Sequence, residues 1–374
     1  MDHQFWLNQP ISYGKNNYLN KQIKYIDLDK IQKTSYELPE NLEWCIIDIN
    51  SDNDLNELYY FLLNNYVTDI NETLRFAYTK DFLKWFLLQP NYFKNLYIGI
   101  KSNNILVACI FGIPIYINVF NKIMKQIEIN LLCVHKDLRN FKLAQILIEE
   151  VIRRTCFNGV WAAIYSGTKN LPHAISKVDY YHLPLNISKL MKINFISSPY
   201  HNVKSLIVTN DNINLSLITK ADIIECCNKL NEFLIKYKIN RCFTYNQFKH
   251  HFISDKDNII ESYVIKKNNK ITDFISFYYL PSQILNNDKY KVLYKGYLYY
   301  YFNNNTNLID LVKELIKIIK KAKKIDVIDC IDIMDYKTIF KDLNFIKGTG
   351  TMDYYLYNWE CEHVKSHELG VFMV

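Results

Sequence analysis

The chain has 374 residues, enough for two to three average domains or one large fused unit, and 49% hydrophobic against 22% charged residues reads as globular with a sizeable core. Forty-five Lys and Arg against 38 Asp and Glu leave +7, spread along the chain with no basic arm, so the charge pattern gives nucleic-acid binding no support. Nine cysteines at irregular spacing fit neither a disulfide framework nor a zinc site, no apolar stretch approaches the ~18 residues of a membrane span, and Met1-Asp2-His3-Gln4 lacks the features of a signal peptide.

The expectation is therefore a cytoplasmic protein with reduced thiols, no metal, no permanently bound cofactor and a monomeric state. Residues 1–40 hold FWLNQP and continue as a polar, turn-rich arm laid over a domain. Trp44–Ile49 reads as a strand, and Asp52–Tyr66 carries Leu55, Leu58, Tyr59, Leu62 and Leu63 at helical spacing. Phe82–Leu88 is a second apolar helix closed by Gln89-Pro90-Asn91. Tyr97–Lys101 and Ile105–Pro114 are strands joined at Ser102-Asn103-Asn104, a hairpin signal.

The stretch Glu128–Arg154 then carries the chemistry. Ile129, Leu131, Leu132, Cys133 and Val134 form a buried-strand run that stops at His135-Lys136-Asp137, and Leu143, Ile146, Leu147 and Val151 recur at helical spacing. Between them lie Arg139, Asn140, Phe141 and Lys142. Free N–H groups at a helix start, the positive end of its dipole and two cationic side chains would form a cradle for phosphate or pyrophosphate; the residues alone fit a solvated basic turn as well. Gly159–Tyr165 follows as a strand, then a loop through Pro172 and YYHLPLNISKLMKINF.

The same order returns. Leu215–Ile218 and Asp222–Tyr237 read as strand and helix, Ser262–Lys267 and Ile271–Pro281 as a hairpin turning at Asn268-Asn269. YIGIKSNNILVACIFGIP resembles SYVIKKNNKITDFISFYYLP about 166 residues further on. Lys295–Phe302, Asn307–Lys324 and Ile325–Ile333 complete a strand, a helix with a lysine-rich face, and a strand. His250-His251 has no companion ligands and is expected to be exposed. An internal duplication follows, with a join near 200–214 dividing residues 1–205 from 206–374.

A hairpin, a central strand ending at a basic turn and a helix beneath it resemble the acetyltransferase-like (GNAT) fold. Two such units in one chain, with FWLNQP, EINLLCVHKDLR, KLAQILIEEVIRR, YYHLPLN, TDFISFYYLPS and YYLYNW in this order, resemble the N-myristoyltransferases from about residue 3 to Val374. The resemblance implies an α/β fold of two fused GNAT units with pseudo-twofold internal duplication and a mixed, mainly antiparallel sheet flanked by helices. It assigns acyl-CoA binding and part of the peptide groove to the first half, and further peptide contacts and the C-terminal carboxylate to the second.

The implied reaction is transfer of a tetradecanoyl group from myristoyl-CoA to the α-amino group of an N-terminal glycine. The resemblance places oxyanion donors on the backbone N–H groups of Leu131 and Leu132, and the base at the terminal carboxylate of Val374, with Tyr165 and Ser166 as assisting hydroxyls. Acyl-CoA contacts fall on Gln4, Phe5, Trp6, Cys133, Val134, Asn140, Lys142, Leu143 and Ala144. Peptide contacts fall on Tyr66, Asp69, Phe76, Tyr78, Asn130, Thr168, Tyr180, His182, Ser276 and Tyr297. Cys133 is read as an inert buried thiol rather than an acyl carrier.

Three departures lie on the peptide side: only Asp69 is acidic in Tyr66-Val67-Thr68-Asp69-Ile70-Asn71, Thr168 stands where a glycine is usual, and Thr349 where an aspartate is common. On the donor side Phe141 replaces a commonly basic position. Two alternatives stay open: an acyltransferase of different acyl or acceptor specificity, and a non-catalytic acyl-CoA or peptide-binding module.

Overall fold

The structure is a computed structural model that describes residues 3–11, 20–69, 71–167, 171–197, 213–322 and 324–374, the side chains of residues 3 and 4 excepted. Most of the 200–214 join, Ile70 and Thr168 lie outside the described residues.

The arm opens with α1 (His3–Leu7), whose Phe5 and Trp6 are buried. β1 (Leu42–Ile46) leads to α2 (Asp52–Asn65), started by the Ser51 hydroxyl accepting from Asp54 N–H, and α3 (Lys80–Leu87), started the same way by Thr79. β2 (Tyr97–Ser102) and β3 (Ile105–Val119) form the expected hairpin, with Asn103 and Asn104 at φ 48° and 65°. Asn tolerates the paired left-handed conformation that a two-residue turn demands. β3 runs past Pro114 and turns at Phe120-Asn121 into β4 (Lys122–Val134), longer than the sequence pattern marked. α4 (Leu143–Phe157) crosses to β5 (Ala163–Gly167), which lies parallel to β4. β6 (Ser176–Pro184) and α5 (Ile187–Lys192) follow.

The second half repeats the plan. β7 (Ser216–Leu217), α6 (Ile223–Leu234), β8 (Ile239–Cys242) and α7 (Tyr245–Phe252) precede the hairpin of β9 (Ile260–Lys267) and β10 (Lys270–Tyr279), which turns at Asn268 and Asn269 with φ 52° and 60°. β11 (Lys295–Asn303), α8 (Leu308–Ala322) and β12 (Val327–Ile331) form the second parallel crossover. β13 (Ile346–Tyr357) and β14 (Leu369–Gly370) end the chain.

Among the described residues fourteen strands join into one sheet, ordered β14-β8-β3-β4-β5-β13-β6-β12-β11-β10-β9-β7, with β2 and β1 continuing from the first part of β3. All pairs are antiparallel except β4–β5, β11–β12 and β8–β14. The halves exchange strands: β13 inserts between β5 and β6, and β6 pairs with β12. β3 is buried nearly throughout because helices cover both faces; Phe111, Ile113 and Ile115 belong to the core cluster that includes buried residues of α2 and α3, and Ala108 and Ile110 to the one that includes Leu143, Leu147 and Val151 of α4. One core cluster holds Leu58 of the first half and Phe274 of the second, so hydrophobic burial crosses the internal repeat.

His250-His251 corrects the exposed reading. His251 is 3% exposed, its Nε2 close to Arg241 and Gln89, and His250 Nε2 meets the Trp85 carbonyl. The helical period of α7 turns His251 inward with Phe248 and Phe252, which the sequence pair alone does not reveal.

Candidate active site

β4 breaks its own ladder where the chemistry was expected. Cys109 pairs with Cys133 and Phe111 with Asn130, so Leu131 and Leu132 stand opposite the single residue Ile110, a β-bulge. Leu131 takes φ 52°, which costs a buried leucine ~1–2 kcal/mol, and Cys109 Sγ reaches its carbonyl at 3.4 Å. On the other edge the parallel ladder with β5 ends at Ile129↔Tyr165, after which the strands separate. Amide groups that β4 turns to that side beyond Ile129 therefore face a cavity instead of a strand.

That cavity has a volume of about 1570 Å³. At one end it is walled by Lys136, Arg139, Asn140 and Lys142, in a short 3-10 turn (Lys136–Phe141) followed by Lys142 at φ 57°. No side chain caps the start of α4, which leaves its first N–H groups and dipole directed at this end. Arg139 Nη2 donates to the Asn65 carbonyl at 2.9 Å and Arg75 Nη1 to the Leu63 carbonyl at 2.9 Å, so two cations seal the end of α2 while lining the cavity. Behind the bulge the wall is apolar, made of Phe5, Trp6 and the inner α4 face of Ile148, Val151 and Ile152. On the opposite side it is aromatic: Tyr66, Phe76, Tyr78, Tyr180, Tyr278 and Tyr297.

The chain terminus enters the same space. β14 pairs in parallel with β8, and a Cβ on Gly370 would lie 3.0 Å from the Tyr237 and 3.1 Å from the Asn240 side chain, so a larger residue would need both to give by a few tenths of an ångström. Val371, Phe372 and Met373 are then buried. Phe372 N–H donates to the Tyr300 hydroxyl at 3.1 Å, and the Tyr354 hydroxyl donates to the Val371 carbonyl at 3.0 Å. Met373 and Val374 finally line the cavity that Leu131 and Leu132 line from β4.

Of the residues singled out in the sequence, Phe5, Trp6, Tyr66, Phe76, Tyr78, Asn130, Leu131, Leu132, Cys133, Val134, Asn140, Lys142, Ala144, Tyr165, Ser166, Tyr180, Tyr297 and Val374 all line this one cavity. Tyr165 is stacked between Trp6 and Tyr355, with ring centroids 5.7 and 5.1 Å away. Leu143 packs in the core beneath the cradle, and the Ser276 hydroxyl donates to the Tyr300 carbonyl. Asp69 accepts from Thr73 N–H, Leu74 N–H and the Thr73 hydroxyl, which occupies both carboxylate oxygens. His182 Nδ1 lies 2.6 Å from Asp329, whose other oxygen accepts from Lys295 at 2.8 Å. These four stand behind the cavity wall. The side chain of Gln4 and all of Thr168 are not among the described residues.

Sequence reasoning missed Arg75, Tyr278 and Met352, and did not single out the inner face of α4 as a wall. The helical spacing of Ile148, Val151 and Ile152 was visible; that the face would line a space rather than fill a core depends on β4 and β5 separating. Burial holds the Cys133 thiol at a pKa of about 12, an unreactive state at neutral pH. The Lys295 and His182 charges hold Asp329 down to about 2 against the opposing effect of complete burial.

The geometry agrees with what the chain is similar to. Residues 22–178 match the family model of the myristoyl-CoA:protein N-myristoyltransferase N-terminal domain, and residues 201–370 that of the C-terminal domain. A glycylpeptide N-tetradecanoyltransferase of Plasmodium falciparum is 36% identical over 100% of this chain and 94% of its own length, and a probable one of Caenorhabditis elegans 33% over 99% and 85%. The crystal structure of Saccharomyces cerevisiae N-myristoyltransferase with bound myristoyl-CoA superposes with a TM-score of 0.91 at 31% identity, covering 100% of this chain and 99% of that one. With both family domains matched in order and relatives aligned from end to end, the chain belongs to the myristoyl-CoA:protein N-myristoyltransferase family.

Proposed function

We propose that the chain transfers the tetradecanoyl group of myristoyl-CoA to the α-amino group of an N-terminal glycine by direct attack. One observation carries the reading: a single cavity is lined together by the β4 bulge, the uncapped start of α4 and the chain terminus. Lys136, Arg139, Lys142 and the α4 N–H groups attract the pyrophosphate of the donor, and the apolar pocket behind Phe5, Trp6 and Ile148 takes the acyl chain.

The peptide enters from the aromatic side, between Tyr66, Tyr78, Tyr180 and Tyr297. Its α-ammonium has a pKa near ~8 and must lose a proton before attack. The Val374 carboxylate first pairs with the ammonium and then accepts that proton, with Ser166 as a neighbouring hydroxyl. The amine nitrogen attacks the thioester carbon while the N–H groups of Leu131 and Leu132 hold the developing oxyanion; the C–S bond then breaks, and the second proton that the nitrogen sheds in becoming an amide goes to the departing sulfur, so coenzyme A leaves as the thiol. Cys133 takes no covalent part. Because Asp69 spends both oxygens on Thr73 and Leu74, a basic residue downstream in the peptide contributes little to affinity.

No helix among the described residues is long and apolar enough to cross a membrane. We place the activity in the cytoplasm and in a monomer. The test is release of coenzyme A from myristoyl-CoA with a glycine-initiated peptide, set against an alanine-initiated one, alongside direct acyl-CoA binding. Glycine-dependent release supports the reading. Binding without release replaces it with a non-catalytic module, and faster release with another acyl length or a lysine acceptor replaces the specificity.

A further inference from the structure

Beneath the cavity lies a charged network that the reaction above does not use. Glu128 sits on β4 two residues before Asn130, on the same face, and is 1% exposed. Its Oε1 accepts from Asn130 Nδ2 at 3.0 Å, and its Oε2 lies 3.5 Å from Nη1 of Arg241, itself 1% exposed. Arg241 comes from β8 in the second half, across β3, and its Nη2 is held by Gln89 Oε1 at 3.1 Å and His251 Nε2 at 2.9 Å. Asn130 lines the cavity and is 8% exposed.

An amide is ambiguous: one end donates, the other accepts. Burial pushes the Glu128 carboxyl up, while Arg241 and the Asn130 amide favour its ionised form; that form accepts only, and it is the NH₂ end of Asn130 that faces it. The carbonyl oxygen is then left for the cavity. We infer that Glu128, anchored by Arg241, is a positioning residue that makes Asn130 present an acceptor to the acylation site, and so favours an incoming N–H donor, the amine of the acceptor peptide. The inference rests on the reading of the cavity as a peptide-acylation site. It assigns a task to the buried pair: an acceptor of fixed polarity beside the bulge.

The test uses the full chain and three variants. In Glu128→Gln the new amide can donate or accept, so Asn130 is free to turn; kcat/KM for the glycine peptide is expected to fall about tenfold, the worth of one hydrogen bond, with acyl-CoA affinity unchanged. Asn130→Asp sets two carboxylates together and is expected to fall further. The exchange variant E128Q/N130D restores the arrangement with its polarity kept, since the amide nitrogen introduced at position 128 donates to one carboxylate oxygen at position 130 while the other oxygen faces the cavity; recovery to within about threefold of wild type is expected.

A merely structural role for Glu128 predicts that the double variant is at least as damaged as either single one. The proposal is overturned if Glu128→Gln matches wild type, or if the exchange variant is no better than Glu128→Gln. Should Glu128→Gln not fold, acyl-CoA binding will show it, and the exchange variant set against Asn130→Asp then decides: recovery over Asn130→Asp supports the proposal and none overturns it. If wild type binds the peptide without acylating it, the same comparison is made on peptide Kd. A wild type that neither binds nor acylates a glycine peptide overturns both readings, whereas an active wild type with a neutral Glu128→Gln overturns this one alone.

Discussion

Replacing the terminal carboxylate of Val374 by a carboxamide tests the base without disturbing the fold. Truncation does not, because Val371, Phe372 and Met373 are 0%, 3% and 7% exposed. Each such side chain contributes roughly 1.5–3 kcal/mol of burial, so losing all three removes roughly 4.5–9 kcal/mol, comparable with the whole stability of many domains. The amide keeps those side chains and the hydrogen bonds of the tail to Tyr300 and Tyr354. It removes only the charge that pairs with the ammonium and the atom that takes its proton. General base catalysis is worth roughly 10²–10⁴-fold, so single-turnover coenzyme A release is expected to drop by at least about a hundredfold at neutral pH, with acyl-CoA affinity unchanged. An added C-terminal glycine, which moves the carboxylate by up to ~3.8 Å, should have a similar effect. The assay is quenched-flow product formation at saturating donor, paired with a binding titration. If the amide retains more than about a tenth of the wild-type rate, the proton leaves by another route and the assignment of Val374 is wrong.

Cys133→Ser should turn over within about threefold of wild type, because a thiol held near pKa 12 carries almost no thiolate; a hundredfold loss in the same assay would restore the covalent alternative. Asp329 has a folded pKa of about 2 against an ordinary ~3.9, so its contribution is complete above pH ~4 and is lost as pH falls through about 2. It amounts to about 2 kcal/mol, to be read from urea unfolding at pH 5 and pH 2.5. Asp329→Asn should abolish that difference and lower stability at pH 7 by ~3–5 kcal/mol, since it leaves Lys295 buried without its anion; equal pH dependence in both proteins would refute the linkage. Changing a downstream Lys of the acceptor peptide to Ala should alter KM less than about threefold, given that Asp69 is engaged within its own loop; a tenfold rise would show that the groove reads the basic residue elsewhere.

Local chemistry made much of this protein legible. Asn-Asn pairs announce the hairpins because few other side chains accept two consecutive positive φ values. The buried run before His135 and the helical spacing after Lys142 mark β4 and α4, since periodicity follows directly from which face is covered. An apolar ending likewise suggested a buried terminus, and the repeated order of elements suggested a duplication. Other features have no local cause. The Leu131 bulge lies within an ordinary strand sequence, and it is the register of β3 against β4, with the departure of β5, that turns backbone amides toward a cavity. β6 and β13 pair across the repeat, and β8 binds both β3 and β14; these pairings join distant segments and leave no mark in the local sequence. His251 looked solvated as a sequence pair, yet α7 turns it onto Arg241. Sequence therefore determined the elements, their order and the kind of site, because those depend on neighbours along the chain. Only the tertiary structure decided that Val374 shares one cavity with β4 and α4 and that a charge pair from both halves stands beneath it, because Val374 and Leu131, like Arg241 and Glu128, are more than a hundred positions apart.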